Sequence, residues 1–484
     1  MRGKFRVVKK HLVLSDAGLS LLASFALAGI AGCERGFDAA PDVGPPALVS
    51  ANAAQAAVVG VAFSYDATKG GSAFSDPLGR GLTYGVSLTA PTLGLTASGG
   101  RISGVPASTG VVQATVTAID KAGQAASQDF AVAVFAPGLK SPSLPAPLFS
   151  YTDAANLFPQ HFVNGPAPGG PVLATDNTPA SNPITDAGAT LGRVLFYDKR
   201  LSANDKVACA SCHLQSLGFT DSARFSHGFA GGLTGRHAPG LANARFYQRG
   251  RFFWDERAAT LEDQVLQPIQ NSAEMGMTLD ALVAKVSATS YYPALFAATF
   301  GSTAVTSDRV SRALAQFVRS LRSTQSKFDA SFPAPPPGPA GTPLTALEQQ
   351  GLSLFNGPAG CAPCHATNSQ VGDNIHNTGL DSVITDQGAG GGRFKPPSLR
   401  NVALRPQFMH DGRFTTLQQV VSFYDSGVKN NPQLDGRLRN PPPDPTAKRL
   451  NLTQGQRDAI VAYLTALTDS VFITSAKLSS PFPP

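Results

Sequence analysis

The sequence predicts a multidomain chain, with an N-terminal β-sandwich followed by two mostly α-helical modules that share their parts. Three observations predict it. Across residues 48–136, short alternating apolar runs are broken by turn residues, the period-2 pattern of half-buried strands. Two Cys-x-x-Cys-His pentads follow, starting at Cys209 and at Cys361, 152 residues apart. The flanks of the pentads also repeat: Gly192-x-x-Leu195-Phe196 precedes the first and Gly351-x-x-Leu354-Phe355 the second. At 484 residues the chain is too long for a single core.

The chain opens with a segment that reads as a leader. Residues 1–10 carry Arg2, Lys4, Arg6, Lys9 and Lys10, and an apolar run occupies 17–32. A basic start, an apolar stretch too short for a comfortable membrane span, and small residues at its end mark an export signal. Ile30-Ala31-Gly32-Cys33 resembles a bacterial lipobox, which implies cleavage before Cys33 and a lipid on its sulfur. The alternative is an ordinary secretory signal with a free Cys33. The expected location is the periplasm or the outer cell surface, with a membrane anchor at Cys33. Residues 1–32 hold five basic residues and one acid, so their loss lowers the formal net charge from +7 to +3. The rest of the chain has no basic run and no aromatic-interleaved stripe, which argues against a nucleic-acid partner.

A linker at 33–47 leads to the β module at 48–136. The runs 58–65, 82–88, 113–120 and 130–135 read as its strands. Leu82-Thr83-Tyr84, Ile102-Ser103-Gly104-Val105-Pro106 and Ala118-Ile119-Asp120-Lys121-Ala122-Gly123 resemble the cadherin-like, immunoglobulin-type modules of bacterial surface proteins. That resemblance implies a module that binds or spaces and carries no chemistry; a passive spacer is the expectation. A Pro-rich linker with little regular structure is expected at 137–185.

The two helical modules are placed at 186–332 and 344–470. A linker at 333–343, containing Pro333-Ala334-Pro335-Pro336-Pro337-Gly338-Pro339, separates them, and a tail occupies 471–484. In each module the Gly-x-x-Leu-Phe segment reads as a helix that delivers the chain to its pentad. A later amphipathic helix, at 310–321 or 459–467, offers Leu314 and Phe317, or Ile460 and Tyr463, to the core. The pentads themselves, Cys209-Ala210-Ser211-Cys212-His213 and Cys361-Ala362-Pro363-Cys364-His365, are the attachment signal for c-type haem. Two thiols on a tight turn reach the two vinyl groups of one porphyrin, and the adjacent histidine ligates the iron. Zinc half-sites or a thiol redox pair are the alternative, but they leave both histidines unexplained. Two cytochrome c-type haem domains, each with one covalently bound haem c, are therefore expected from an internal duplication.

Between the pentads lies Phe252-Phe253-Trp254-Asp255-Glu256-Arg257-Ala258, with Gln264, Pro268 and Glu274 ten, fourteen and twenty residues beyond Trp254. On these residues the chain resembles, across 186–470, the bacterial dihaem cytochrome c peroxidase and MauG superfamily, MbnH-like proteins included. The resemblance implies an oxidoreductase that reacts with hydrogen peroxide at the first haem. Its electrons come from a small donor protein or, as in MauG, from side chains of a protein substrate. Trp254 is implied to lie between the haems and couple them. Glu274 is implied to sit over the open face of the first haem, with Gln264 and Pro268 shaping that pocket. Peroxide must lose a proton from one oxygen and gain one on the other before its O–O bond breaks, and a positioned carboxylate can move that proton. Without the motif, Glu274 reads as a solvated acid and Trp254 as a core residue.

Three further positions follow from the resemblance. His227, fourteen residues beyond His213, is similar to a loop histidine that caps the first iron in resting peroxidases; MauG-type proteins lack that cap, and an ordinary loop histidine is the alternative. His237 stands where relatives have an asparagine that helps bind calcium between the haems, a departure that weakens the expectation of calcium. Fourteen residues beyond His410 is Tyr424, where the peroxidases place a methionine ligand. Tyrosine there resembles MauG and implies Tyr424 as second ligand of the second haem iron. Thioether ligation raises a haem potential, and phenolate ligation favours higher oxidation states. Met409 is the only alternative sulfur nearby, and a core tyrosine is the other reading of Tyr424. A non-enzymatic dihaem electron-transfer protein remains the second function class, and a surface-binding protein led by its β module the third.

Overall fold

The computed structural model describes residues 44–152, 158–165, 170–333, 341–372 and 374–484. The leader, Cys33 and most of the 333–343 linker lie outside the described residues. From Pro45 onward the chain forms one compact unit, β-rich at first and helical afterwards.

The β region contains β1 (Ala47–Leu48), β2 (Gln55–Val58), β3 (Phe63–Asp66), β4 (Phe74–Ser75), β5 (Thr83–Leu88), β6 (Leu95–Ser98), β7 (Arg101–Gly104), β8 (Gly110–Ile119) and β9 (Ala125–Phe135). Two sheets, ordered β2-β9-β8-β5 and β3-β7-β6, enclose a core that includes Leu95, Ile102, Val112, Val116 and Val132. In β8 the alternation is regular: Val112, Ala114, Val116 and Ala118 are buried, as a one-sided strand requires. The run 58–65, expected as one strand, is two. Gly60 adopts φ +78°, a left-handed conformation that ends β2 before β3 begins and leaves Val61 exposed. β9 departs from simple alternation, since every residue from Phe130 to Phe135 is buried. Its second face is covered by the helix Leu279–Ala288, which explains why the sequence there is continuously apolar.

The helical region shows the duplication at atomic scale. The helix Asp186–Tyr197 is capped by the Thr185 hydroxyl, which accepts from the Gly188 N–H at 3.0 Å. It crosses Ser307–Arg319 at Gly192, where a Cβ would lie 1.9 Å from the Ala313 carbonyl oxygen. In the second module Ala346–Asn356 crosses Gln454–Ala466 at Gly351, where a Cβ would lie 1.9 Å from the Ala459 oxygen. Each glycine lets two helix backbones touch, so the pentad that follows is delivered against the same kind of helix pair. Phe196 and Phe317 pack in the first core, Phe355 and Tyr463 in the second.

The connecting segments are more anchored than their composition suggests. The 137–185 stretch carries a short helix, Gln160–Val163, from which His161 stacks on Phe332 with ring centroids 4.0 Å apart and pairs with Asp329 at 2.8 Å. The last residues return to the first module: Tyr197 Oη donates to the Leu478 oxygen at 2.7 Å, and Arg193 Nε to the Ser479 oxygen at 2.7 Å. Among the described residues no helix is long and apolar enough to cross a membrane.

Candidate active site

Each pentad closes on a single hydrogen-bonded turn, helical at Cys209–Cys212 in the first. His213 N–H donates to the Cys209 oxygen at 3.0 Å, and His365 N–H to the Cys361 oxygen at 3.0 Å. The turn places two sulfurs and one imidazole on the wall of a cavity. The first cavity has a volume of about 550 Å³ and is lined by Cys209, Cys212 and His213 together with Gln264, Pro268 and Glu274. The second, about 180 Å³, is lined by Cys361, Cys364, His365 and Tyr424, with His376 and Met409. The four cysteines carry no disulfide. Among the described residues no group of three or more His, Cys, Asp or Glu side chains is arranged to hold a metal ion. The pentads therefore stand apart, one per cavity, rather than meeting in a four-sulfur centre.

The donor chemistry fits haem. His213 Nδ1 donates to the Phe219 oxygen at 2.9 Å, which leaves the Nε2 lone pair free for a metal. Burial lowers the His213 pKa and, helped by the nearby His376 and Arg405 charges, takes His365 down to about 4, which favours the neutral ring that metal ligation needs. Burial also pushes the thiols up, to about 12 for Cys209 and Cys361 and about 11 for Cys212.

Glu274 sits on a turn that the helix Leu261–Gln270 creates by ending early. Pro268 lies inside that helix and has no N–H to donate to the Gln264 carbonyl, and the helix ends at Gln270. Its free carbonyls are capped from the turn: Met275 N–H reaches the Pro268 oxygen at 3.2 Å and Met277 N–H the Ile269 oxygen at 2.8 Å. Glu274 Oε1 accepts from Asn271 Nδ2 at 2.7 Å. Burial raises the Glu274 pKa, with the Asn271 hydrogen bond and the Arg257 charge pulling it partly back. His227 is exposed and lines the same cavity. It belongs to a tight hairpin bridged to Leu233, and that hairpin is tied to the Glu274 turn by the Phe229 N–H, which donates to the Glu274 oxygen at 2.8 Å.

Trp254 lines both cavities. Its Nε1–H donates to the His237 oxygen at 2.7 Å. His237 is buried and turns its ring to Thr220 Oγ1, 3.1 Å away, and to the Ala223 oxygen. Tyr424 lies in a π-helical turn, Phe423–Gly427, a local widening that often marks functional positions. Burial pushes its phenol well up, partly offset by a hydrogen bond with Thr378. A cation at the phenol oxygen reverses that preference.

Two residues that sequence reasoning passed over belong to this site. His410 lines the second cavity and stacks on Phe394 with ring centroids 3.7 Å apart. Its signal was legible: Phe408-Met409-His410-Asp411-Gly412-Arg413 repeats the frame of Phe252-Phe253-Trp254-Asp255-Glu256-Arg257, so His410 is the duplicate of Trp254. Lys395 lines both cavities, and its N–H donates to the Trp254 oxygen at 2.8 Å. No periodic pattern in the sequence marks it.

The family model described as di-haem cytochrome c peroxidase matches residues 186–333. The "Methylamine utilization protein MauG" of Methylorubrum extorquens is 33% identical over 302 residues, which cover 60% of this chain and 80% of that protein. The chain belongs to the dihaem cytochrome c peroxidase and MauG family. Membership makes it a peroxidase-type oxidoreductase and implies two c-type haems. Within the family, the "Cytochrome c551 peroxidase" of Nitrosomonas europaea is 34% identical over 245 residues, 48% of this chain and 71% of that protein. A crystal structure of a MauG-like protein associated with microbial copper homeostasis superposes with a TM-score of 0.54 at 32% identity. It covers 63% of this chain and 96% of that one. The β region, residues 45–135, matches the model of a putative Ig domain, in keeping with the expected immunoglobulin-type module.

Proposed function

We propose that the chain is an exported enzyme that reacts with hydrogen peroxide in the first cavity and oxidises a small redox protein or, MauG-like, side chains of a protein substrate. One observation carries the reading: Glu274, a carboxyl with a raised pKa, faces the cavity that Cys209, Cys212 and His213 line. A site meant only to pass electrons has no use for a carboxyl of raised pKa beside an open pocket.

The roles follow from side-chain chemistry. Cys209 and Cys212 would hold the first haem by thioether bonds and His213 would ligate its iron; Cys361, Cys364 and His365 would do the same for the second, with Tyr424 as its further ligand. When bound, the haems would supply the redox chemistry that peroxide reduction needs. Glu274 accepts the proton of one peroxide oxygen and returns it to the other, which leaves as water. Gln264 and Pro268 hold the walls that keep peroxide beside that carboxyl. Trp254 lines both cavities and is placed to carry charge between them. His227, exposed at the first cavity, is a conditional ligand of the first iron. The two haem domains are assigned to 186–332 and 344–470. Export rests on the basic and apolar leader, and a lipid anchor at Cys33 on the lipobox; together they support a periplasmic or outer-surface location.

The test is to add peroxide to the purified diferric protein and follow optical and EPR spectra. A rapid change at the first haem, slowed by about 10²–10⁴-fold in Glu274→Gln, is the expected result. A first haem inert to peroxide overturns the enzymatic reading.

A further inference from the structure

The β module meets the first helical module along the helix Leu279–Ala288 and at a four-residue segment, 202–205. From the β side, the Ala136 N–H just beyond β9 donates to Asp205 Oδ2 at 2.8 Å, and Thr109 Oγ1, just before β8, donates to the Ala203 oxygen at 3.2 Å. Asp205 Oδ1 pairs with Lys285. The Lys285 ammonium also donates to the Ser202 oxygen at 3.1 Å and lies 5.6 Å from the centre of the Phe135 ring. Lys285 is 1% exposed and Asp205 4%. Asp205 adopts φ +60°, a left-handed conformation that Asp tolerates better than most L-residues.

The other side of the same four residues holds the wall of the peroxide cavity. Ala203 N–H donates to the Met275 oxygen at 2.9 Å, one residue beyond Glu274. Asn204 Nδ2 donates to the Phe229 oxygen at 2.7 Å, and the Phe229 N–H donates to the Glu274 oxygen at 2.8 Å. The Glu274 turn and the His227 hairpin thus hang from the segment that the β module clamps. The Glu274 turn is held on its other side by the end of the helix Leu261–Gln270, so this clamp is the second limit on how far Glu274 can wander. Misplacing a catalytic group by about 1 Å costs on the order of 10²-fold in rate.

We propose that the β module braces the peroxide cavity, and that Thr109 and Phe135 are positioning residues that fix the Glu274 turn through residues 202–205. The catalytic part of this proposal rests on the proton-shuttle reading of Glu274; the mechanical part does not.

The experiment uses the full-length, haem-loaded protein and its Thr109→Val and Phe135→Ala variants. Hydrogen exchange is measured residue by residue, and the peroxide reaction is followed across pH. The brace predicts that the Ala203 and Phe229 amides exchange about tenfold faster, the effect of losing one hydrogen bond's worth of protection. It also predicts that the pH midpoint of the peroxide reaction moves down toward the ordinary carboxylate range as water reaches Glu274, with the His365 amide unchanged. Faster exchange confined to β8 and β9, with Ala203 and Phe229 unaltered, overturns the proposal. Should Phe135→Ala fail to fold, Thr109→Val, which removes a single hydrogen bond, decides alone. If exchange spreads as predicted but Glu274→Gln leaves the peroxide rate intact, the brace stands and the proton-shuttle reading falls.

Discussion

Trp254 and His410 meet edge to face, with ring centroids 6.4 Å apart and planes 69° from parallel. They are duplicates of one position. Each lies inside a bridged turn, Phe252 with Ala258 and Phe408 with Phe414, directly after a residue of positive φ: Phe253 at +68° and Met409 at +69°. His237 joins them, accepting from Trp254 Nε1 and donating its N–H to the His410 oxygen at 2.8 Å. The wall between the two cavities is one turn used twice, with its two tips in contact.

Trp254→Phe tests that wall. It keeps an aromatic ring and removes the Nε1–H, at a stability cost of about 1 kcal/mol. Peroxide still reacts at the first haem, while the spectral change of the second slows by about tenfold, or about 1.4 kcal/mol on the barrier. Stopped-flow spectra that resolve the two haems make the comparison. Equal rates at both haems in the variant rule out Trp254 as the link.

Glu274 makes a pH prediction whose sign is fixed by its burial. The folded pKa lies above the model-compound value, so ionisation is harder in the folded chain than in the unfolded one. The group leaves stability intact at pH below 4.5, its unperturbed value, and weakens the fold as pH rises through the raised folded value. Glu274→Gln therefore melts higher than the parent at pH 8 and no differently at pH 4. The proton-accepting form appears only above the raised pKa, so the peroxide rate of the parent climbs through that same window. A parent rate flat between pH 4 and pH 8 argues against the shuttle.

The sequence made the strands and the duplicated helices legible because each has a periodic cause. β5 and β8 alternate because one face is wet, and Gly192 and Gly351 recur because two helix pairs cross at them. The pentads and the Trp254 segment were legible as motifs. The docking of the β module was not. It depends on Ala136, Asp205 and Lys285, which lie far apart in the chain and meet only in the fold, and on Phe130 to Phe135 being covered twice. The π turn at Tyr424 was equally silent, since no local pattern distinguishes Phe423–Gly427 from an ordinary helical turn. The Trp254–His410 repeat was present in the sequence but obscured by the change of aromatic type.

The helix crossings predict a matched pair of losses. Gly192→Ala and Gly351→Ala each drive a methyl to 1.9 Å from a backbone oxygen, of Ala313 and Ala459 respectively, and backbone cannot swing aside as a side chain can. Each substitution should cost at least about 1–3 kcal/mol. Gly455→Ala is the control. It lies near the start of the helix Gln454–Ala466 with nothing within 4 Å, and the gain in helix propensity stabilises by about 0.5–1 kcal/mol. Urea midpoints of the three variants decide the matter: a neutral Gly351→Ala contradicts the close crossing.

Tyr424→Met sets the second haem's ligand against its alternatives. Tyr424 shares the second cavity with Cys361, Cys364 and His365, and its phenol is protonated unless a cation sits at the oxygen. A thioether in its place carries neither proton nor charge and stabilises the reduced iron. The potential of the second haem should rise, and the oxidised state formed after peroxide should decay faster. Met409 lines the same cavity, so Met409→Leu is measured beside it. If Tyr424 is the ligand, Met409→Leu leaves the potentiometric midpoint where it was while Tyr424→Met moves it upward. The reverse pattern makes Met409 the ligand and Tyr424 a core residue, and with it the resemblance to MauG at this haem is lost.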